Sequence, residues 1–198
     1  MLVIAAAMVA TTGLKAQDNG YENKHEVAVS IGIGSNSRII DDLENAITTI
    51  MAGVKYGDEH YVGPFSVEYF YKAKPWLGVG GILAYGKNTQ DLYFFTDDDK
   101  AAGKIKNNYF TVMPSVKFDW LRKSNFGLYS KLAIGATYRN EKVDYNESTY
   151  EDFDESEWHV NWQISAIGVE VGGKALRGFA ELGTGEQGIL LGGVRYKF

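Results

Sequence analysis

The three histidines, His25, His60 and His159, each open a segment that reads as a β-strand, and they are too dispersed to suggest a ligand cluster from spacing. Ser156 stands three residues before His159, the pairing to test for a serine nucleophile with a histidine base. No nucleophile motif surrounds it between Tyr150 and His159, and chance placement is the favoured reading. Two acidic runs offer the hard oxygens that calcium prefers, or that could bridge to lipopolysaccharide through divalent ions: Asp97 to Asp99, and Asp144, Glu147, Glu151, Asp152, Asp154, Glu155 and Glu157. Neither has the glycine and spacing of a calcium loop, so solvated acidic loops are the simpler reading. The pairs Gly80-Gly81 and Gly192-Gly193 fall inside strand patterns, so no phosphate-binding loop is implied. With no cysteine in the chain, thiolate metal sites, disulfides and cysteine nucleophiles are excluded. The expectation is a protein without a catalytic residue, cofactor or metal site.

The elements that carry these residues are β-strands. Three prolines, 23 glycines, 13 tyrosines and 10 phenylalanines in 198 residues suit a β-rich chain better than a helical one. No apolar run reaches the roughly 18 to 20 residues that a spanning helix needs. The formal charge of -5, with lysines and arginines spread singly, leaves no footprint for nucleic acid. Leu2 to Val9 form a short apolar run that continues to Ala16, where a small residue before Gln17 reads as the end of a signal peptide. Only Met1 precedes the run, without the usual positive charge. The expected division is residues 1–16 as signal peptide and 17–198 as one domain.

Beyond a polar linker, Val27, Val29, Ile31 and Ile33 alternate with Ala28, Ser30, Gly32 and Gly34, the period of two of a strand. The same period recurs through Tyr61 to Tyr71, Leu77 to Tyr85, Phe110 to Trp120, Phe126 to Tyr138, Val160 to Ile164, Gly178 to Gly183 and Leu190 to Phe198. The sixth segment slips phase at Ala166 to Gly168, which predicts a β-bulge. Eight strands result.

Alternation does not say which face is inside, but the connections do. Short turns at Ala73 to Pro75, Arg122 to Asn125 and Gly172 to Ala175 alternate with long polar segments at Ser35 to Glu59, Lys87 to Asn107 and Asn140 to Glu157. Outer-membrane barrels have this asymmetry of tight periplasmic turns and long external loops. Apolar stretches of about a dozen residues suit tilted strands crossing roughly 25 Å of hydrocarbon. Tyr69, Tyr71, Trp76, Trp120 and Phe126 flank the short turns, and Tyr85, Tyr138, Trp158 and Trp162 approach the long ones, as two interfacial girdles would. The polar positions Glu68, Lys72, Lys117, Asp119, Lys131, Glu181, Arg195 and Lys197 then fill a narrow lumen, where they should pair with one another and close it. Gly32, Gly78, Gly80 and Gly135 are expected to leave room for those long side chains.

The stretch GFAELGTGEQGILLGGVRYKF, Gly178 to Phe198, with the preceding IGVEVGGK of Ile167 to Lys174, resembles the closing strands of the outer membrane β-barrel domain proteins. The resemblance is specific over these last thirty or so residues and looser over the rest. It implies that Phe198, with Tyr196 and Val194 at alternate positions before it, is the signal read by the barrel assembly machinery.

Arg38 to Val54 carries Ile39, Ile40, Leu43, Ile47, Ile50 and Met51 at helical spacing, with Asp41, Asp42 and Glu44 near its start, where the helix dipole favours acids. This predicts a short amphipathic helix in the first long loop, either covering the open barrel end or dipping into the membrane interface, the cover being the simpler reading. The whole reads as an all-β protein, an antiparallel up-and-down transmembrane barrel. It would be a non-enzymatic, monomeric outer-membrane protein with a structural or adhesive surface role, its partners being outer-membrane lipid and lipopolysaccharide. The rivals are a lipid-modifying barrel enzyme and a soluble lipocalin-like binding barrel.

Overall fold

A computed structural model describes residues 23–39, 41–42, 54–94, 103–145 and 153–198. Eight strands follow one another: β1 (His25–Ile33), β2 (Val54–Lys74), β3 (Leu77–Phe94), β4 (Gly103–Arg122), β5 (Phe126–Tyr145), β6 (Phe153–Gly172), β7 (Leu176–Gly185) and β8 (Leu190–Lys197). Each pairs antiparallel with its neighbours in sequence, and β1 pairs with β8 from Glu26↔Lys197 to Ile33↔Leu190, closing the barrel. Closure leaves no free edge around the ring, so every ladder hydrogen bond there is internal, as hydrocarbon requires.

The alternating residues sort as the turn asymmetry predicts. Val29, Ile31, Val67, Leu83, Val112, Leu132, Ile134 and Val194 stand exposed on the outer wall, while Ser30, Glu68, Thr111, Lys117, Lys131 and Arg195 are buried inside. This inversion of the soluble pattern removes the lipocalin-like reading, which needs an apolar interior. On β5 the apolar outer face runs from Phe126 to Tyr138; at about 3.3 Å per residue and a tilt of about 45°, it spans about 28 Å. Aromatic pairs mark its limits. Trp76 stacks on Phe118 with ring centroids 6.3 Å apart at the short-turn end, and Tyr85 meets Phe110 at 4.9 Å and Tyr138 meets Trp158 at 5.2 Å toward the other.

The bulge lies where the phase slips. Ser165 pairs with Lys131 but Gly168 with Tyr129, so Ala166 and Ile167 both face outward and the inward phase resumes at Gly168 and Glu170. Ser130, on the outer wall beside the bulge, donates its hydroxyl to the Ala166 carbonyl at 2.6 Å, so neither group is left unpaired toward lipid.

Two expectations about the connections are corrected. The segments Lys87 to Asn107 and Asn140 to Glu157 are largely strand, since β3 runs to Phe94, β4 starts at Gly103, β5 runs to Tyr145 and β6 starts at Phe153. Beyond the apolar band the outer face carries polar residues too, so hydrophobic alternation disappears, while Asn88, Gln90, Leu92, Asn107 and Val143 stay buried on the inner face and the backbone ladder continues. Cross-strand pairs such as Lys106 to Asp144 at 2.6 Å and Lys142 to Asp154 at 2.9 Å line this extension. Likewise β2 begins at Val54 inside the expected first loop, and β7 extends past Gly178 to Gly183 at both ends.

The walls are therefore uneven. β1, β7 and β8 are short, and β6 pairs with β7 only from Gln163 to Gly172, leaving residues 153–162 with β5 alone as strand partner among the described residues. Residues 36–39 and 41–42 are helical. The remainder of the expected Arg38 to Val54 helix and the expected signal peptide lie outside the described residues.

Candidate functional site

Period-two alternation on seven strands delivers charged side chains to one enclosed space, and there they meet. At the short-turn end Lys117 Nζ lies 2.8 Å from Glu26 Oε2, 3.5 Å from Asp119 and 3.6 Å from Glu170. Lys72 is paired with Asp119 and lies 3.3 Å from Glu26. Midway along the lumen, Lys131 bridges Glu68 and, at 2.8 Å, Glu181, while Arg195 reaches Glu68 at 3.3 Å and Glu170 at 3.0 Å. Tyr129 donates to Glu181 at 2.7 Å and presents its ring to Lys117 and Arg195, at 4.3 and 4.7 Å from the centroid. Glu68, Lys72, Lys117, Asp119, Lys131, Glu181 and Arg195 thus stand in one continuous network, and all are buried.

Three members escape the alternation pattern as first read. Glu170 holds Arg177 at 2.7 Å, Arg195 at 3.0 Å and also Lys197, making it the hub of the lower lumen. It lies past the bulge, where the phase is lost. Glu26 and Arg177 extend the patterns of β1 and β7 by one further position each toward the turns, and continuing the period of two would have found them. Desolvating so many ions is costly, and their mutual attraction offsets that cost only because each carboxylate has more than one cation. The network's side chains are enclosed, with Glu68, Lys117, Lys131 and Arg195 fully buried across the interior.

The β7–β8 connection, residues 186–189, folds inward as a plug. Gln187 N–H donates to Gln163 Oε1 at 2.7 Å, its side-chain amide donates to Glu68 at 2.9 Å, and Ile189 N–H donates to the Ile33 carbonyl at 2.7 Å. Glu186 accepts from the Ser37 amide at 3.1 Å, the Ser37 hydroxyl at 2.9 Å and Asn161 at 2.8 Å. Gly32 makes this possible: a Cβ there would sit 1.9 Å from the Gln187 carbonyl oxygen. The expected use of the inner glycines is corrected accordingly. Gly78 does lie beside Lys117, with a Cβ 3.5 Å from its Cβ, but Gly32 admits plug backbone, and Gly80 and Gly135 face the backbone of adjoining strands.

Above the plug, Asp41 on the helical turn accepts from Tyr109 and, at 3.0 Å, from Asn107, and lies 3.3 Å from Arg139. Arg38 lies 5.3 Å over the Tyr61 ring. These contacts seat the helical turn over the lumen.

The remaining candidates do not converge. Ser156 and His159 are three apart on a strand and so point to opposite faces of β6; the Ser156 hydroxyl bonds Tyr138 at 2.8 Å and Asn140 at 3.0 Å instead. His25 sits in the aromatic girdle, with Nδ1 2.8 Å from the Tyr69 hydroxyl and its ring 5.4 Å from that of Phe198. His60 lies on β2, distant in sequence from both. In the second acidic run, Asp144, Asp154 and Glu157 pair with Lys106, Lys142 and Arg139. Asp97 to Asp99, Glu147, Glu151 and Asp152 lie outside the described residues. Val194, Tyr196 and Phe198 share the exposed outer face at the closing strand.

No family model matches the chain, and no curated protein matches it. Solved structures similar to it include Ail, the attachment invasion locus protein of Yersinia pestis, in complex with the heparin analogue sucrose octasulfate. That likeness has a TM-score of 0.48 and 15% identity, covering 88% of this chain and 99% of that one. A second structure of Ail is similar at a TM-score of 0.46 and 14% identity, covering 88% and 99%. At these values the similarity says nothing of ligand or role.

Proposed function

We propose that the chain is a non-enzymatic integral protein of a Gram-negative outer membrane, anchored as a monomer by its barrel and presenting its long hairpins to the medium in a structural or adhesive role. The observation that carries this reading is the pairing of an apolar outer wall of lipid-spanning height with a lumen closed by ion pairs. Such a cylinder is stable in hydrocarbon and has an exposed, aggregation-prone surface in water. The closed interior argues against a solute channel, and the opposed faces of Ser156 and His159 argue against a lipid-modifying enzyme built on that pair.

A surface role is supported by the polar extension of β3 to β6 and by the β6 stretch at residues 153–162, which has no strand partner on its β7 side among the described residues. There Trp158 and Val160 are 69% and 77% exposed. The outward row of Val194, Tyr196 and Phe198 suits recognition by the barrel assembly machinery, and lipopolysaccharide would surround the long-hairpin end. Membrane fractionation combined with heat-modifiable gel migration tests the reading. A folded barrel in the outer membrane should migrate differently before and after boiling; recovery in the soluble periplasm with no shift would overturn it.

A further inference from the structure

Each corner at the short-turn end of the barrel carries one exposed lysine. Lys74 closes β2 at the first tight turn, Lys123 and Lys174 lie in the β4–β5 and β6–β7 turns, and Lys24 directly precedes β1 beside the end of β8. The acidic side chains at this end, Glu26, Asp119 and Glu170, all turn into the lumen, where lumen cations hold them. Among the described residues of this end no acidic side chain is exposed, although the chain carries a formal charge of -5. The four lysines form no ion pair with a described residue.

Their depth is set by their neighbours. Lys74 Nζ lies 5.5 Å from the centroid of Trp76, itself stacked on Phe118. Lys24 adjoins His25, whose ring packs on Tyr71 and Phe198, both at 5.4 Å. Lys123 falls between Trp120 and Phe126, and Lys174 between the exposed Val171 and Leu176. Each ammonium is therefore tethered where the apolar wall ends, which is the level of lipid phosphates once the barrel is in a bilayer.

We propose that this ring binds the phosphates of anionic phospholipids in the leaflet at the short-turn end, selecting them over zwitterionic lipids. The selection is electrostatic, because a zwitterionic headgroup offers the same phosphate with a compensating cation, whereas an anionic one leaves its charge for the lysine. The proposal rests on the membrane reading above, and the experiment separates the two.

Full-length mature protein carrying Trp158→Phe and Trp162→Phe, so that Trp76 and Trp120 report from the lysine end, is refolded into vesicles. These contain brominated phosphatidylcholine or brominated phosphatidylglycerol in an otherwise phosphatidylcholine bilayer. Quenching by the phosphatidylglycerol should show a relative affinity roughly three- to tenfold higher at low salt, falling toward unity at about 1 M salt. The same background with Lys24, Lys74, Lys123 and Lys174 all changed to Gln should lose the preference while keeping its heat-modifiable shift. Equal quenching by both lipids in the parent, or an unchanged preference in the fourfold variant, overturns the lysine ring. If neither brominated lipid quenches, the membrane reading itself fails.

Discussion

Lys117 Nζ stands 2.8 Å from Glu26 Oε2 across the lumen, joining β4 to β1, two strands that share no ladder. The contact ties opposite walls of the barrel. Changing Lys117→Met should cost about 2–4 kcal/mol of unfolding free energy, because Glu26 then stays buried with only Lys72, Lys197 and the more distant Arg195 to compensate it. Urea unfolding in lipid vesicles, read by gel shift, measures this. A change under about 0.5 kcal/mol would show that the pair is not a tie between walls.

Glu170→Gln should cost more than Lys117→Met. The carboxylate serves Arg177, Arg195, Lys197 and Lys117 together, so neutralising it leaves four buried cations crowded around one amide. The same unfolding assay decides the order. Equal or smaller destabilisation would mean that the hub lies elsewhere in the network.

The plug depends on a missing side chain. Gly32→Val places atoms where the Gln187 carbonyl now sits, and overpacking of this kind costs about 1–3 kcal/mol. The parent protein should show no stable stepwise conductance in planar bilayers. The variant should unfold at lower urea as residues 186–188 are displaced from their seat over the lumen. An unchanged midpoint would mean that the plug can reseat without Gly32.

Most of the barrel is legible from alternation, and the failures have physical causes. Alternation reports a boundary between lipid and an enclosed lumen. It therefore finds Val112 against Lys117, and stops at residues 87–107 and 140–157, where the outer face turns polar like the inner one although Asn88, Gln90, Asn107 and Val143 remain enclosed and the backbone pairing continues. A bulge shifts the phase by one, which hides Glu170 while leaving Gln163 and Ser165 on the lumen side as expected. The plug is invisible for another reason. It is a four-residue connection whose inward course depends on Gly185 and Gly188, with φ of 137° and 110°, and on the space over Gly32; alternation places Gly32 on the inner face but does not say that backbone will occupy the space above it.

The outer wall makes a quantitative claim about depth. Leu132 lies midway along the apolar face of β5, so Leu132→Arg should destabilise the bilayer-embedded barrel by about 2–4 kcal/mol. Leu176→Arg, beside the turn at residues 172–175, should cost no more than about 1 kcal/mol, because its guanidinium can reach headgroups. Unfolding measured in vesicles gives both values. Equal costs at the two positions would mean that Leu132 does not lie at the midplane.

The extension beyond the lipid offers a titration. Asp154 on β6 accepts hydrogen bonds from Lys142 and Asn140 on β5, and the ammonium of Lys142 holds its carboxyl below the ordinary aspartate range while its own pKa rises. A lowered folded pKa means that the pairing contributes above the unfolded aspartate value of about 3.9 and is lost as pH falls through the lower folded value. Both groups are exposed, so the pairing tunes the β5–β6 hairpin without deciding whether the barrel folds. Carboxyl NMR titration should place Asp154 below the free aspartate value in the parent and closer to it in Lys142→Ala, with the Asn140 hydrogen bond still lowering it. If Asp154 titrates alike in both proteins, the two strands do not remain paired at that height, and the ladder ends closer to the lipid than residues 142 and 154.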